Sequence, residues 1–482
     1  MKNLIKAAGV CYFSSVSFAF AGNMLDDFNL MLGQSGSTEN ITYGTSSIDG
    51  NNEVYDDVTF LLEEEKFNAD KMTLSSDGDM LTMHLENLNA TEGDVSFTTE
   101  HFIIQANKNN IKNLLLDQYD VFDCSDWQDT YHIQVVNGEF LMEDIASDLS
   151  IDFLDIVANT KNLEGVTSEE CILDAKMAIN GMSLNFEDYV VQLGGARLDF
   201  KNPISENFSY EKFGEMYTAN FMMKGLLVSS LTNGKLVGLD SLSANSTVDG
   251  DSMVSLAEAG INDIIVELEN YEANYGAQPD PFEFFTADIW NAVVDMVYDS
   301  SFNLENLTLV PASINPMGAM LSGHFGEEVK LNIKSKTTKN AENIGVGFEL
   351  SVDKLADLGI GFDVVLEKTD VIPSDPELAM MTLPVYIKNI SANFSETGAD
   401  NLAQMMTGKG LEDNAYPLLN NPVIPEENSK LLFDWFVSSL GNKKAFFEMS
   451  FSEPMGIIDL MPYMMSDWKN LRSLGTVESN LE

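Results

Sequence analysis

The sequence predicts a β-rich α+β protein of twisted antiparallel sheets built from hairpins, with covering helices in the middle and at the C-terminus. Three observations predict it. Short runs alternating apolar and polar residues, the period-two mark of a sheet with one buried and one solvated face, recur through most of the chain. Asn-Gly and Asp-Gly pairs fall among these runs, and their tolerance of positive φ suits tight hairpin turns. Two regions, 252–298 and 396–440, carry instead the three-and-four spacing of helices.

The first element, residues 1–21, reads as a secretory signal peptide. Lys2 and Lys6 form a charged start, an apolar stretch runs from Ala7 to Phe18, and Ala19-Phe20-Ala21 supplies a small-x-small cleavage site. At roughly a dozen residues the stretch falls short of the roughly 20 that span a bilayer. Cleavage removes Cys11, which Ala8-Gly9-Val10 precedes as a poor lipidation signal, and leaves Cys124 and Cys171. An even pair in an exported chain predicts a structural disulfide. Closing a loop over residues 125–170 stabilises by at most roughly 4 kcal/mol through chain entropy.

Residues 22–205 are expected to be a β-rich N-terminal region containing that disulfide. Tyr131 to Val136 leads into Asn137-Gly138 and out through Glu139 to Met142, which predicts a type I′ hairpin. Asn180-Gly181, Asn233-Gly234 and Asp77-Gly78 repeat the signal. Leu81 to Glu86 alternates cleanly and needs a cover on its apolar side.

A helical middle segment is expected over 206–300. Val254, Ala257, Ile261, Ile264, Ile265 and Leu268 make one stripe, with Gly260 a point of bending. A second helix starts at Asp280 as N-cap with Pro281 in the first turn and runs to Tyr298, apolar nearly all round. Its acids Glu283, Asp288 and Asp295 argue against a lipid-embedded segment. Strands resume over 301–394, including Gly347 to Val352 and Gly361 to Leu366. Leu-Glu-Asn-Leu occurs at 85–88 and again at 304–307, which four residues in a Leu- and Asn-rich chain leave as chance recurrence.

The C-terminal region, 395–482, is expected to be helical with one strand. A helix over 396–407 is predicted to bury Leu402, Met405 and Met406. Another over 426–440 presents Leu431, Leu432, Trp435, Phe436 and Leu440, with Gly441 placed as a C-terminal cap. The strand 445–451 follows, then Glu453-Pro454 and an apolar segment from Ile457 to Met465. In Leu432 to Phe436, the strand 445–451, Glu453-Pro454-Met455 and the end near Leu471, this part resembles uncharacterised exported (periplasmic) bacterial β-rich proteins of unknown function. The resemblance implies a twisted sheet with covering helices and supplies no catalytic motif.

Composition narrows the function. With 76 acidic and 26 basic residues among 482, the net charge is −50, and loss of Lys2 and Lys6 takes it to −52. Hydrophobic residues at 44% and charged residues at 21% are ordinary for a globular chain, so the excess reflects missing cations. Arg197 and Arg472 alone could make bidentate phosphate contacts, which excludes nucleic acid and disfavours anionic lipid surfaces. The acids are spread along every segment, as solvated faces are, and such charge is tolerable where salt shortens the screening length.

No catalytic motif stands out: G-x-S-x-G, H-E-x-x-H and Walker A are missing, and His84, His101, His132 and His324 lie far apart, as surface or cross-strand residues do. Asp49-Gly50-Asn51-Asn52-Glu53 and Asp77-Gly78-Asp79 hint at Ca²⁺ but stop short of a twelve-residue loop, so hairpin turns explain them better. Met317, Met320 and His324 could take copper(I), although the 25 methionines mostly occupy core-like positions. No cofactor is expected. The chain is therefore read as an exported, noncatalytic envelope protein binding a lipid-like or protein partner in an apolar groove. The alternatives are a carboxylate-dependent polysaccharide hydrolase and a structural or oligomeric scaffold.

Overall fold

A computed structural model describes residues 41–62, 65–77, 80–92, 95–107, 129–142, 147–162, 171–204, 217–249, 286–311, 318–373, 382–416, 426–440, 443–464 and 473–479, with a few isolated positions between them. The expected signal peptide, Cys124, most of the helix expected over 252–275, and Met317 lie outside these residues. Two compact units are present. The first comprises residues up to Phe208 and Thr218–Gly238, and the second comprises Ser209–Tyr217 and Leu239 onward.

The first unit is an antiparallel meander, and no helix occurs among its described residues. Strands β1 (Ile41–Thr42) and β2 (Thr45–Asp49) pair with β3 (Asn52–Leu62). From there β4 (Glu65–Asp77), β5 (Met80–Glu92), β6 (Val95–Asn107), β7 (Asp129–Met142), β8 (Ser147–Asn162), β9 (Cys171–Phe186), β10 (Tyr189–Ile204) and β11 (Tyr217–Ser230) each pair with the strand before. The turn at Gly50, with φ of 65°, joins Asp49 to Asn52, so the first acidic motif is a hairpin turn. Asp77 pairs with Met80, which places the expected Asp77-Gly78 hairpin between β4 and β5. Asn233-Gly234 likewise closes the turn before β12 (Gly234–Val248).

The other two Asn-Gly pairs do not make hairpins. Asn137-Gly138 lies inside β7 and Asn180-Gly181 inside β9. Their positive φ serves a different device. Asp57, Asn87, Asn137, Gly181 and Gly225, on alternate strands β3, β5, β7, β9 and β11, have φ between 50° and 66°. Opposite them the pairing skips Asp70, Glu100, Asp152 and Gly194 on the intervening strands. The register is unchanged on either side: Glu86 faces His101 and Leu88 faces Thr99, as one continuous ladder requires.

What changes at this row is the side-chain phase. In β5 the buried residues Leu81 and Leu85 are followed by Leu88 and Ala90, in β4 Phe67 and Ala69 by Met72 and Leu74, and in β6 Phe97 and Thr99 by Phe102 and Ile104. One extra outward residue in a single strand would throw its whole face out of register with its neighbours. Inserted at the same level in every strand, it leaves the ladder matched. Side chains satisfy what the lost pairs release: Thr99 Oγ1 donates to Val136 O at 2.7 Å and to His101 O at 3.0 Å. Asn87 Nδ2 donates to Asp70 Oδ2 at 2.9 Å, and Asn137 Nδ2 donates to Glu100. Gly138 is needed for packing, since a Cβ there would sit 2.9 Å from Val135 Cγ1.

The second unit continues as a meander, β13 (Tyr298–Leu309), β14 (Val329–Asn340), β15 (Asn343–Val352), β16 (Ala356–Leu366), β17 (Val385–Glu396), β18 (Lys444–Gly456) and β19 (Gly475–Ser479). Its helices are α1 (Ala287–Asp295), α2 (Gly318–Phe325), α3 (Ala399–Thr407), α4 (Leu411–Ala415), α5 (Glu426–Ser438) and α6 (Ile457–Met464). The segment expected to be helical over 206–300 thus holds strands β11 and β12 as well. Among the described residues no helix is long and apolar enough to cross a membrane.

Helix α1 is capped by Thr286, whose Oγ1 accepts from Ile289 N. Trp290 and Val294 pack on Leu366 with Ile344, Val364 and Val385 around them, and Trp290 Nε1 donates to Glu367 O at 2.7 Å. At the other end Lys339 is 4% exposed, and its Nζ donates to Val294 O, Met296 O and Ala341 O at 2.7, 2.8 and 2.6 Å. It meets the carbonyls that a helix end leaves without partners, where the dipole favours a cation. Burial pushes its ammonium down to about 8, with Asp295 acting the other way. Helix α6 seals Met449 and Phe451 through Leu460, and Phe436 of α5 stacks on Phe394 of β17. Helix α3 departs from expectation: Met405 and Met406 are 49% and 51% exposed, because the helix lies peripherally and buries none of its residues.

Candidate functional site

The inner face of the first unit is graded. In β3 to β7 it is sealed: Met72 and Leu74 are 0% exposed and Val135 is 1%. Across β8 to β11 the same face is apolar but half-open. Cross-strand rows carry it there, Ile151–Met182–Leu193–Leu226 on one side of the phase change and Leu154–Ile179–Ala196–Met223 on the other. Ile179, Met182, Met223 and Leu226 are only half-buried. Their opposite faces are mixed, with Lys176, Asn180, Ser183, Asn185, Gln192 and Arg197 beside Phe153, Leu227 and the 42% exposed Met222. Such a strip offers apolar surface whose removal from water is worth about 25 cal/mol per Å².

The second unit holds a cleft of about 450 Å³ lined by Glu396, Thr397, Asp400, Gln404, Glu412 and Asp413, at the junction of β17, α3 and α4. Two of its carboxylates are structural acceptors. Glu396 Oε1 accepts from Asp400 N at 3.1 Å, and Asp400 accepts from Leu411 N at 2.6 Å and from Gln404 Nε2 at 3.2 Å. They cap helix starts, which is ordinary work for an acid at a helix N-terminus.

The histidines are distributed between the units. On the outer face of β5 and β6, His84 Nε2 lies 3.1 Å from His101 Nδ1. His132 Nε2 lies 2.6 Å from Asp155 Oδ1 on the same sheet. His324 Nε2 donates to Lys354 O at 2.8 Å, and the side chain of Met320 is not among those described. The His84–His101 contact was hidden in the sequence by 17 positions; the β5–β6 register that closes it was the available signal. Cys171 opens β9 opposite Asn162 and Ile204, while its expected partner Cys124 lies outside the described residues. Among the described residues no group of three or more His, Cys, Asp and Glu side chains is disposed to hold a metal ion.

No protein-family model matches the chain, and no curated protein matches it.

Proposed function

We propose that the protein is an exported, noncatalytic binding protein of the bacterial cell envelope that holds a lipid-like ligand against the inner face of β8 to β11. The half-open apolar strip carrying Ile179, Met182, Met223 and Leu226 supports this reading. Methionine is suited to the task because its unbranched, polarisable chain adapts to varied apolar shapes. The N-terminal signal sequence supports export, and a Cys124–Cys171 bridge would fasten the start of β9. In the second unit, covering helices such as α1 and α6 serve the sheet as fixed lids.

Organic extraction of the purified full chain, followed by mass spectrometry, tests the proposal. Co-purifying lipid is expected, together with saturable uptake of a fluorescent fatty acid. A lipid-free extract with no fatty-acid uptake would overturn it.

A further inference from the structure

We infer that His84 and His101 form a two-histidine site for a late first-row divalent ion, copper(II) foremost, on the outer face of β5 and β6. The nitrogens are 3.1 Å apart. Two imidazole nitrogens at that separation, each about 2.0–2.1 Å from one ion, subtend roughly 95–102° at it, between the square-planar and tetrahedral angles. That contact is a ring-to-ring hydrogen bond, so one ring moves its proton to its other nitrogen and both rings turn as the lone pairs converge on the ion. Neutral imidazole is the ligand form.

The surroundings suit a cation. Glu86 stands directly opposite His101 in the register, and Glu100 Oε1 lies 3.9 Å from His101 Nε2, the nitrogen on the far side of the ring. At that distance Glu100 makes no hydrogen bond to the ring and acts only as nearby negative charge. Lys71 offsets part of this charge, but its Nζ is held on Glu86 Oε1 at 2.7 Å. Among the described residues no third protein ligand converges, so water completes the coordination and the site stays open. The inner-face ligand strip plays no part in this inference.

The sheet itself supplies the rigidity. His84 and His101 lie on the same side of the phase-change row, on strands locked by the pairs Met83–Ile104 and Glu86–His101, with Leu88–Thr99 just beyond it. A preformed pair loses little side-chain freedom on binding a metal.

Copper(II) titrated into the full chain, followed by electron paramagnetic resonance, tests the inference. One ion with at least two equatorial nitrogens is expected, and both H84N and H101N should lower its affinity at least tenfold. H132N should leave it unchanged. Circular dichroism and thermal melts establish that each variant is folded, and nickel(II) protection of wild type against diethylpyrocarbonate at His84 and His101 gives a readout independent of the variants. Copper bound equally well by folded H84N and H101N, or no nickel(II) protection of either ring, would overturn it.

Discussion

The two units solve the same problem, keeping one face of a long antiparallel sheet apolar, in different ways. In the first, every strand from β3 to β11 changes phase at one level and the register stays constant. In the second, irregularities are local: the register shifts between Leu304 and Leu307, between Asp363 and Val364, and between Ile387 and Asn389. A collective phase change keeps neighbouring faces matched, so apolar residues continue along both halves of each strand. Isolated bulges leave mismatched faces, and in the second unit helices α1 and α6 lie over the apolar residues instead. The first unit should therefore be sensitive at its row, and the second at its helices.

The largest effect is expected at α1. Trp290→Ala removes a side chain that is 6% exposed and the donor to Glu367 O, and should cost about 3–5 kcal/mol in chemical denaturation. A loss below about 1 kcal/mol would show that α1 is not a structural lid. Next comes the row itself. A Cβ at Gly181 would overlap the Asp152 carboxylate, and φ there is 59°, so Gly181→Ala should cost about 2–3 kcal/mol. Gly234 has φ of 74° with open space around it, so Gly234→Ala should cost only about 1 kcal/mol. Equal losses at the two glycines would mean that the close approach across the row contributes nothing.

Lys339 brings pH into the comparison. Lys339→Met leaves three carbonyls without their donor and should cost about 1–3 kcal/mol at pH 7. The folded ammonium loses its proton near pH 8, whereas the unfolded one keeps it to about 10.5. Between those values the unfolded state binds more protons, so the stability of wild type relative to Lys339→Met should rise with pH across that window. A flat difference between pH 7 and 11 would contradict a buried charge at this helix end.

The alternation that names the strands was legible in the sequence, and so were the turns at Asp77-Gly78 and Asn233-Gly234, because local residue chemistry decides them. The row was legible only in part. Leu81, Met83 and Leu85 followed by Leu88 and Ala90 is a broken alternation visible in the letters, yet Asn137-Gly138 carries the same chemistry as a hairpin turn. Left-handed φ suits both uses, and which one applies depends on strands far away in sequence. The recurrence of Leu-Glu-Asn-Leu, set aside as chance, places a left-handed asparagine in each unit, in the phase-change row at Asn87 and in a register-shifting bulge at Asn306: their φ values are 54° and 52°, and both donate to an aspartate on the preceding strand. The histidine pair and the half-open strip depend on register and burial, which no local pattern encodes.

The smallest effect sharpens the contrast most. Asn87→Ala and Asn306→Ala each lose a left-handed asparagine and its amide bond, to Asp70 at 2.9 Å and to Asp240 at 2.8 Å, and should each cost about 1 kcal/mol. Asn87→Gly restores the backbone freedom without the amide. If conformation governs the row, Asn87→Gly recovers most of the loss, measured as the urea midpoint at constant slope. Asn306 N–H also donates to Asn332 Oδ1 at 2.8 Å, which holds the bulge of the second unit from the neighbouring strand. Asn306→Gly should therefore keep that support, and Asn332→Ala should remove it at similar cost. A first-unit asparagine that glycine cannot replace would shift the explanation from backbone phase to the amide-carboxylate contacts.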